Sequence, residues 1–306
     1  MQSEVSEFCL NEFKKIRELK GGLRSTSYLV EYNNMHYVMQ IYNNKNQYQA
    51  RKKYNLFKLI NESSKNIPIP TVYLINEDIN SSILVTSYIY GDTIEHLYER
   101  ESNAIKMIST ELAKILYDIH KINVGKYYGW ITEAGVNKKT KIGDYLNDEL
   151  ERFKDYYKKE LNTSQIKHVM NIGRKALNTI NSFEISPSLV WYDLNRNNII
   201  AKNEKDILKV NGILDPGGAR YGYKEWDFAF MLKNFCKTKY EFECIINEYL
   251  SIGGSISEEL LKSFIIFVEL DDLAMQIADC TLYRPPSTSL FEDILINISG
   301  KFEKIY

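Results

Sequence analysis

Residues 189–200, Leu-Val-Trp-Tyr-Asp-Leu-Asn-Arg-Asn-Asn-Ile-Ile, constrain this chain more than any other stretch. An apolar run leads into Asp193, four residues separate it from Asn198, and a second apolar run follows. Residues 199–202, the polar turn 203–206 and residues 207–214 read as a hairpin, because two apolar runs joined by a short polar turn pair antiparallel. A hairpin sets its two free ends side by side, so Asn198 and Asp215 should meet at one edge. An Asp, an Asn and a second Asp so grouped suit phosphoryl transfer. Asp193 would accept the proton of an attacking hydroxyl, and Asn198 and Asp215 would hold magnesium against nucleotide phosphates.

The 306 residues allow one large domain or two lobes with sizeable cores. A formal net charge of -1 argues against nucleic acid or an anionic membrane as partner. No apolar run approaches the ~18 residues of a membrane span, and residues 1–7 have neither the basic nor the apolar part of a secretion signal. Cys9, Cys236, Cys244 and Cys280 form no Cys-x-x-Cys pair, and the four histidines are scattered. Free thiols in a reducing cytoplasm are therefore expected, rather than zinc or disulfides.

The first third reads as β-rich. Residues 6–19 carry a rough helical pattern in Phe8, Leu10, Phe13, Ile16 and Leu19. Gly21 and Gly22 with Ser25 and Thr26 form a small-residue turn before a strand–turn–strand unit over 28–42. Such a turn lets backbone N–H groups approach phosphate oxygens; the alternative is a plain β-turn. It is neither a Walker loop nor Gly-x-Gly-x-x-Gly. A helix is expected over 46–60, ended by Ile67-Pro68-Ile69-Pro70. Strands over 71–75 and 82–89 follow, before Gly91-Asp92 breaks the pattern.

The rest reads as mainly helical. Ile105, Ile108, Leu112, Ile115, Leu116 and Ile119 recur at helical steps within 102–122. His120 lacks a nearby nucleophile and is expected to be a packing or hydrogen-bonding histidine. Helices are expected over 142–159 and 164–180, with a basic surface loop at 137–141. Asp227 should cap or brace a loop at the start of a helix reaching about residue 238. Three helices broken at Gly253-Gly254 and Pro285-Pro286 should complete the chain. The expected fold class is α+β, with a nucleotide-binding lobe over 1–91 and a helical lobe over 92–306 carrying the catalytic loop and acceptor site.

Taken in order, these segments resemble the aminoglycoside phosphotransferase superfamily, whose members have a two-lobed, protein-kinase-like fold. Gly21-Gly22 with Ser25 and Thr26 is similar to its nucleotide-positioning loop. Residues 67–72 are similar to its Pro-x-Pro-x-Val segment, and 84–91 to its hinge. Residues 191–198 resemble the His-Gly-Asp-Leu-x-x-x-Asn brace, and Gly212–Asp215 with Trp226-Asp227-Phe228-Ala229 the Ile-Asp-x-Gly … Asp-Leu-Ala end. The resemblance implies a phosphotransferase using ATP or GTP and Mg2+, with Asp193 catalytic, Asn198 and Asp215 on the metal, and main-chain groups of Ser87 and Ile89 on the purine.

Two departures stand out. Gln40 occupies the strand position where the family carries a phosphate-binding Lys or Arg, and the following helix has Arg51-Lys52-Lys53 where a Glu should orient it. Lys52 or Lys53 could reach the phosphates instead. Trp191-Tyr192 replaces His-Gly, and since Trp cannot accept a hydrogen bond, support for the loop must come from elsewhere.

For the acceptor, the resemblance implies an acidic helical surface receiving polycationic aminoglycosides, for which Glu269, Asp271 and Asp272 are candidates. Glu269 and Asp272 can share a face, while Asp271 points partly away. The alternative is an ordinary solvated face. A small-molecule kinase of fructosamine, choline or homoserine type, and a nucleotide-binding pseudokinase, are competing expectations.

Overall fold

The computed structural model describes residues 12–19, 24–43, 45–78, 81–132, 135–136, 139–205 and 207–283. β1 (Lys14–Leu19), β2 (Thr26–Tyr32) and β3 (Met35–Asn43) open the chain, followed by helix α1 (Tyr48–Ser63), β4 (Val72–Glu77) and β5 (Ser81–Ser87). The five strands form one antiparallel sheet in the order β1-β2-β3-β5-β4. β1 replaces the end of the helix expected over 6–19; the expected helix before residue 12 lies outside the described residues. Its backbone pairs Lys14 with Glu31 through Leu19 with Ser27, with a bulge between Lys15 and Arg17. Edge pairing thus overrides a weak helical pattern, and Phe13 packs at 5.2 Å on Tyr32.

Helix α1 lies between the sheet and the helical part. Ala50 packs with Tyr42 and Leu84 of the sheet, while Leu56, Phe57 and Ile60 belong to the large core shared with the helices. The crossing between the two parts comes at Gly91, at φ 139°. A Cβ there would stand 2.5 Å from the Ala201 carbonyl oxygen, so only glycine fits. The next residues, β6 (Asp92–Thr93), pair with Ile200 and Ala201 of the hairpin.

The helical part continues with α2 (Ile94–Arg100), α3 (Ala104–His120), β7 (Gly129–Thr132), β8 (Gly135–Val136), α4 (Ile142–Tyr157) and α5 (Thr163–Asn181). All six apolar residues that signalled α3 in the sequence are buried. Shortening one of them, as in Leu112→Ala, costs about 2–5 kcal/mol through lost burial and the cavity left behind. α5 starts on a reciprocal capping box between Asn162 and Gln165.

β9 (Ser188–Val190) leads to the loop over 191–198, and β10 (Ile199–Glu204) with β11 (Ile207–Ile213) forms the expected hairpin. A 3-10 turn, Pro216–Gly218, precedes β12 (Arg220–Gly222), α6 (Glu225–Asn234), α7 (Lys239–Ser251) and α8 (Glu258–Tyr283). β12 joins β9 to β7 in a small sheet beneath the loop over 191–198. No helix among the described residues is long and apolar enough to cross a membrane.

Candidate active site

The hairpin register carries the site. Ile199 pairs with Ile213, and the Leu214 N–H donates to the Asn198 carbonyl at 2.7 Å, so Asn198 and Asp215 emerge at the same edge, as expected. The Asn198 side chain folds back, its Nδ2 donating to the main-chain oxygen of Asp193 at 3.0 Å. Asn195, which the sequence reading passed over, donates from Nδ2 to Asp193 Oδ1 at 2.8 Å. Its place two residues after an Asp was the available signal, since short amides bond locally in turns. Burial pushes the Asp193 carboxyl up to about 6, with the Asp215 charge adding to the rise; bonds from Asn195 and Asn198 oppose it.

The brace that Trp191 cannot provide comes from Asp227. Asp227 is fully buried and accepts the backbone N–H of Trp191 at 3.0 Å and of Tyr192 at 2.6 Å. His120 joins it, with Nε2 at 3.0 Å from Asp227 and Nδ1 at 3.0 Å from the Tyr249 hydroxyl. Both residues thus act as structural partners of the loop, as expected. Trp191 fills the core, and its Nε1 has no partner.

Tyr192, at the position of the family glycine, keeps a glycine-like backbone at φ 70°. Its side chain compensates the left-handed conformation. The hydroxyl donates to Asp271 Oδ2 at 2.6 Å, and the ring stacks 3.6 Å from the buried Arg220 guanidinium. Arg220 also lies over Trp130 at 3.9 Å and bonds the Gly218 carbonyl at 3.1 Å. Cation–π contact inside an aromatic box is favourable for a desolvated cation. No local pattern announces this box, because Trp130, Tyr192, Arg220 and Trp226, whose ring lies 4.5 Å from the same guanidinium, meet only in space.

Of the residues expected on the nucleotide, Gly21 and Gly22 lie outside the described residues. Ser25 is half-buried beside the Tyr42 hydroxyl, and Thr26 is exposed at the start of β2. Gln40 donates to Ser27 Oγ at 3.3 Å and accepts from the Tyr42 hydroxyl at 3.1 Å. Ser87 uses its N–H on the Thr71 carbonyl at 2.8 Å, and Ile89 packs over Gly212.

Both helix lysines reach the site. Lys53 Nζ is 2.9 Å from Asp215 Oδ1, and Lys52 Nζ donates to the Gly217 carbonyl at 2.6 Å. Burial would depress the Lys53 ammonium, but Asp215 and Tyr42 raise it to about 12. Lys52, desolvated and near Arg220 and Arg24, is lowered to about 8. Asp215 is held down by Lys53 against its burial.

The three acidic candidates of α8 are not free carboxylates. Glu269 is 1% exposed and lies 2.6 Å from Lys233; Asp272 lies 2.7 Å from the same ammonium. Asp271 is buried with Arg152 at 3.2 Å besides its bond from Tyr192. The pattern fails to announce this because Lys233 sits on α6 and Arg152 on α4, far off in sequence.

The polar groups fit magnesium held mainly by its nucleotide. Asn198 turns its amide nitrogen to the loop, donating to the Asp193 carbonyl, which leaves Oδ1 as the side chain's acceptor. Asp215 uses Oδ1 for both Lys53 and the Gly217 N–H, and Oδ2 takes part in neither contact. Among the described residues no group of three or more His, Cys, Asp or Glu could cage a metal. Magnesium characteristically takes one or two protein ligands and completes its shell with phosphate and water.

A β-rich sheet and one helix set against a helical lobe, with an Asp-Asn-Asp site below them, define a kinase-like phosphotransferase fold. The chain belongs to the phosphotransferase enzyme family, whose model matches residues 15–241. Among solved structures, aminoglycoside phosphotransferase APH(4)-Ia is 14% identical, with a TM-score of 0.74 and 95% of each chain covered. The streptomycin–ATP complex of APH(2'')-IIa is 18% identical, with a TM-score of 0.64, covering 98% of this chain and 96% of that one. The GDP complex of an aminoglycoside 2'-phosphotransferase-IIIa variant is 14% identical, with a TM-score of 0.67 and coverage of 95% and 92%. At these identities the likeness establishes the fold. No curated protein matches the sequence.

Proposed function

We propose that this chain transfers the γ-phosphoryl group of a magnesium-bound nucleoside triphosphate, ATP or GTP, to a hydroxyl of a small molecule. The observation that carries the reading is the convergence of Asp193, Asn198 and Asp215 at the hairpin edge. Asp193 orients the acceptor hydroxyl and takes its proton as the oxygen attacks phosphorus. The new oxygen–phosphorus bond forms as the bond to the nucleoside diphosphate breaks. Asn198 and Asp215 would hold the magnesium, which neutralises charge on the phosphoryl group in transit. Catalysis is then chiefly positioning and electrostatics. Free thiols at Cys236 and Cys244 support a reducing, cytoplasmic setting.

An aminoglycoside-type antibiotic is the first acceptor to test, with antibiotic resistance as its consequence, because named relatives bind streptomycin or hygromycin B. A second reading, a housekeeping kinase of fructosamine, choline or homoserine type, is favoured by the pairing of Glu269, Asp271 and Asp272 with Lys233 and Arg152. An acceptor surface neutralised from within has less to offer a polycation. A screen of labelled ATP and GTP against aminoglycosides, choline, homoserine and fructosamines separates the two. Nucleotide binding with no transfer to any acceptor would instead make the chain a pseudokinase.

A further inference from the structure

We propose that Lys53, carried by helix α1, binds the phosphates of the nucleotide donor in place of the missing strand lysine, with Tyr42 and Gln40 as its positioning residues. The inference rests on the donor reading above.

A directed chain of hydrogen bonds carries it. An ammonium can only donate, and the Lys53 ammonium lies beside Tyr42, 5.8 Å from its ring centroid. Tyr42 in turn donates to Gln40 Oε1 at 3.1 Å, and Gln40 Nε2 donates to Ser27 Oγ at 3.3 Å. Tyr42 and Gln40 thus each donate to the next group in line. A lysine at position 40 would reverse its middle, setting two cations against one hydroxyl. Gln40 is therefore the complement of Lys53 rather than a simple loss. The cation has moved from the strand to the helix, and the polar partner from the helix to the strand.

Lys53 is 7% exposed, and a buried ammonium needs a counter-charge. Asp215 supplies it at 2.9 Å. If Asp215 held a divalent cation, its carboxylate would be shared between the cation and Lys53. Lys53 would then turn from Asp215 toward the phosphates that accompany the cation. The tyrosine keeps its stem in place.

Lys52 does different work. Neighbours on a helix point about 100° apart, and Lys52 is fixed on the Gly217 carbonyl at 2.6 Å, 4.9 Å from the Trp130 ring. It tethers the Asp215 turn to α1.

Calorimetric titration of the full chain with the magnesium complexes of ATP and GTP, and with adenosine and guanosine, tests the assignment. Lys53→Met should weaken the better-bound triphosphate at least tenfold and leave its nucleoside within twofold. Gln40→Lys added to Lys53→Met should recover most of that loss. If Lys53→Met does not fold, Lys53→Gln, which keeps a donor without the charge, should show the same selective loss. Triphosphate affinity within twofold of the parent, or an equal loss for the nucleoside, would overturn the proposal. No binding of either triphosphate by the parent would overturn the donor reading as well.

Discussion

Asp227 accepts the Tyr192 backbone N–H at 2.6 Å, and this bond anchors the turn that delivers the next residue, Asp193. The same carboxylate takes the Trp191 N–H and touches His120, so one buried side chain satisfies three groups. Breaking a buried charge arrangement by removing one partner costs about 3–5 kcal/mol. Asp227→Ala should lower stability by that order in urea denaturation. An unchanged midpoint would mean the loop is held by other contacts.

The Tyr192 hydroxyl tests the link between that loop and α8. Its bond to Asp271 is to a buried, charged acceptor. Such bonds contribute about 1.5–3 kcal/mol. Tyr192→Phe should lose that amount while keeping the ring against Arg220. Tyr192→Gly relieves the positive φ but removes the ring too, and should be the less stable of the two by thermal melting.

Asp193 predicts a pH dependence of stability in the metal-free chain. Its carboxyl is raised from 3.8 to about 6 in the fold. The folded state therefore holds this proton more tightly than the unfolded state does. The associated stability is fully present below about pH 4 and is lost as pH rises through 6. Asp193→Asn, neutral throughout, should gain melting temperature relative to the parent between pH 4 and 7. A difference that stays flat across that window would refute the shift.

The acidic residues of α8 give a prediction about substrate. Lys233 spans Glu269 and Asp272. Lys233→Met should cost stability, by about 3 kcal/mol if the buried Glu269 keeps its charge. Asp272→Asn should leave affinity for streptomycin within twofold, measured by calorimetry. A larger drop would return that carboxylate to the acceptor site.

Much of the architecture was legible because it is written locally. The periodicity of α3, the prolines after α1 and the hairpin around residues 203–206 each sit within one window of sequence. The hairpin alone brings Asn198 to Asp215. What stayed hidden is non-local. Lys53 and Asp215 come from opposite parts of the chain, as do Arg152 and Asp271, and no spacing rule links them. β1 departs from the helical pattern of its own residues because an edge strand gains its order from β2. The missing family histidine was visible in Trp191, but its replacement by Asp227 with His120 required the packing of α3 against the loop.

The most direct test of the central claim is transfer of labelled γ-phosphate from ATP and GTP, with magnesium, to the acceptor panel by the parent and by Asp193→Asn. The parent should label at least one hydroxyl acceptor. Asp193→Asn should fold and bind nucleotide, yet turn over about 10²–10⁴-fold more slowly, the range expected for loss of a general base. Near-parental turnover by Asp193→Asn, or nucleotide binding by the parent without transfer to any acceptor, would contradict the account.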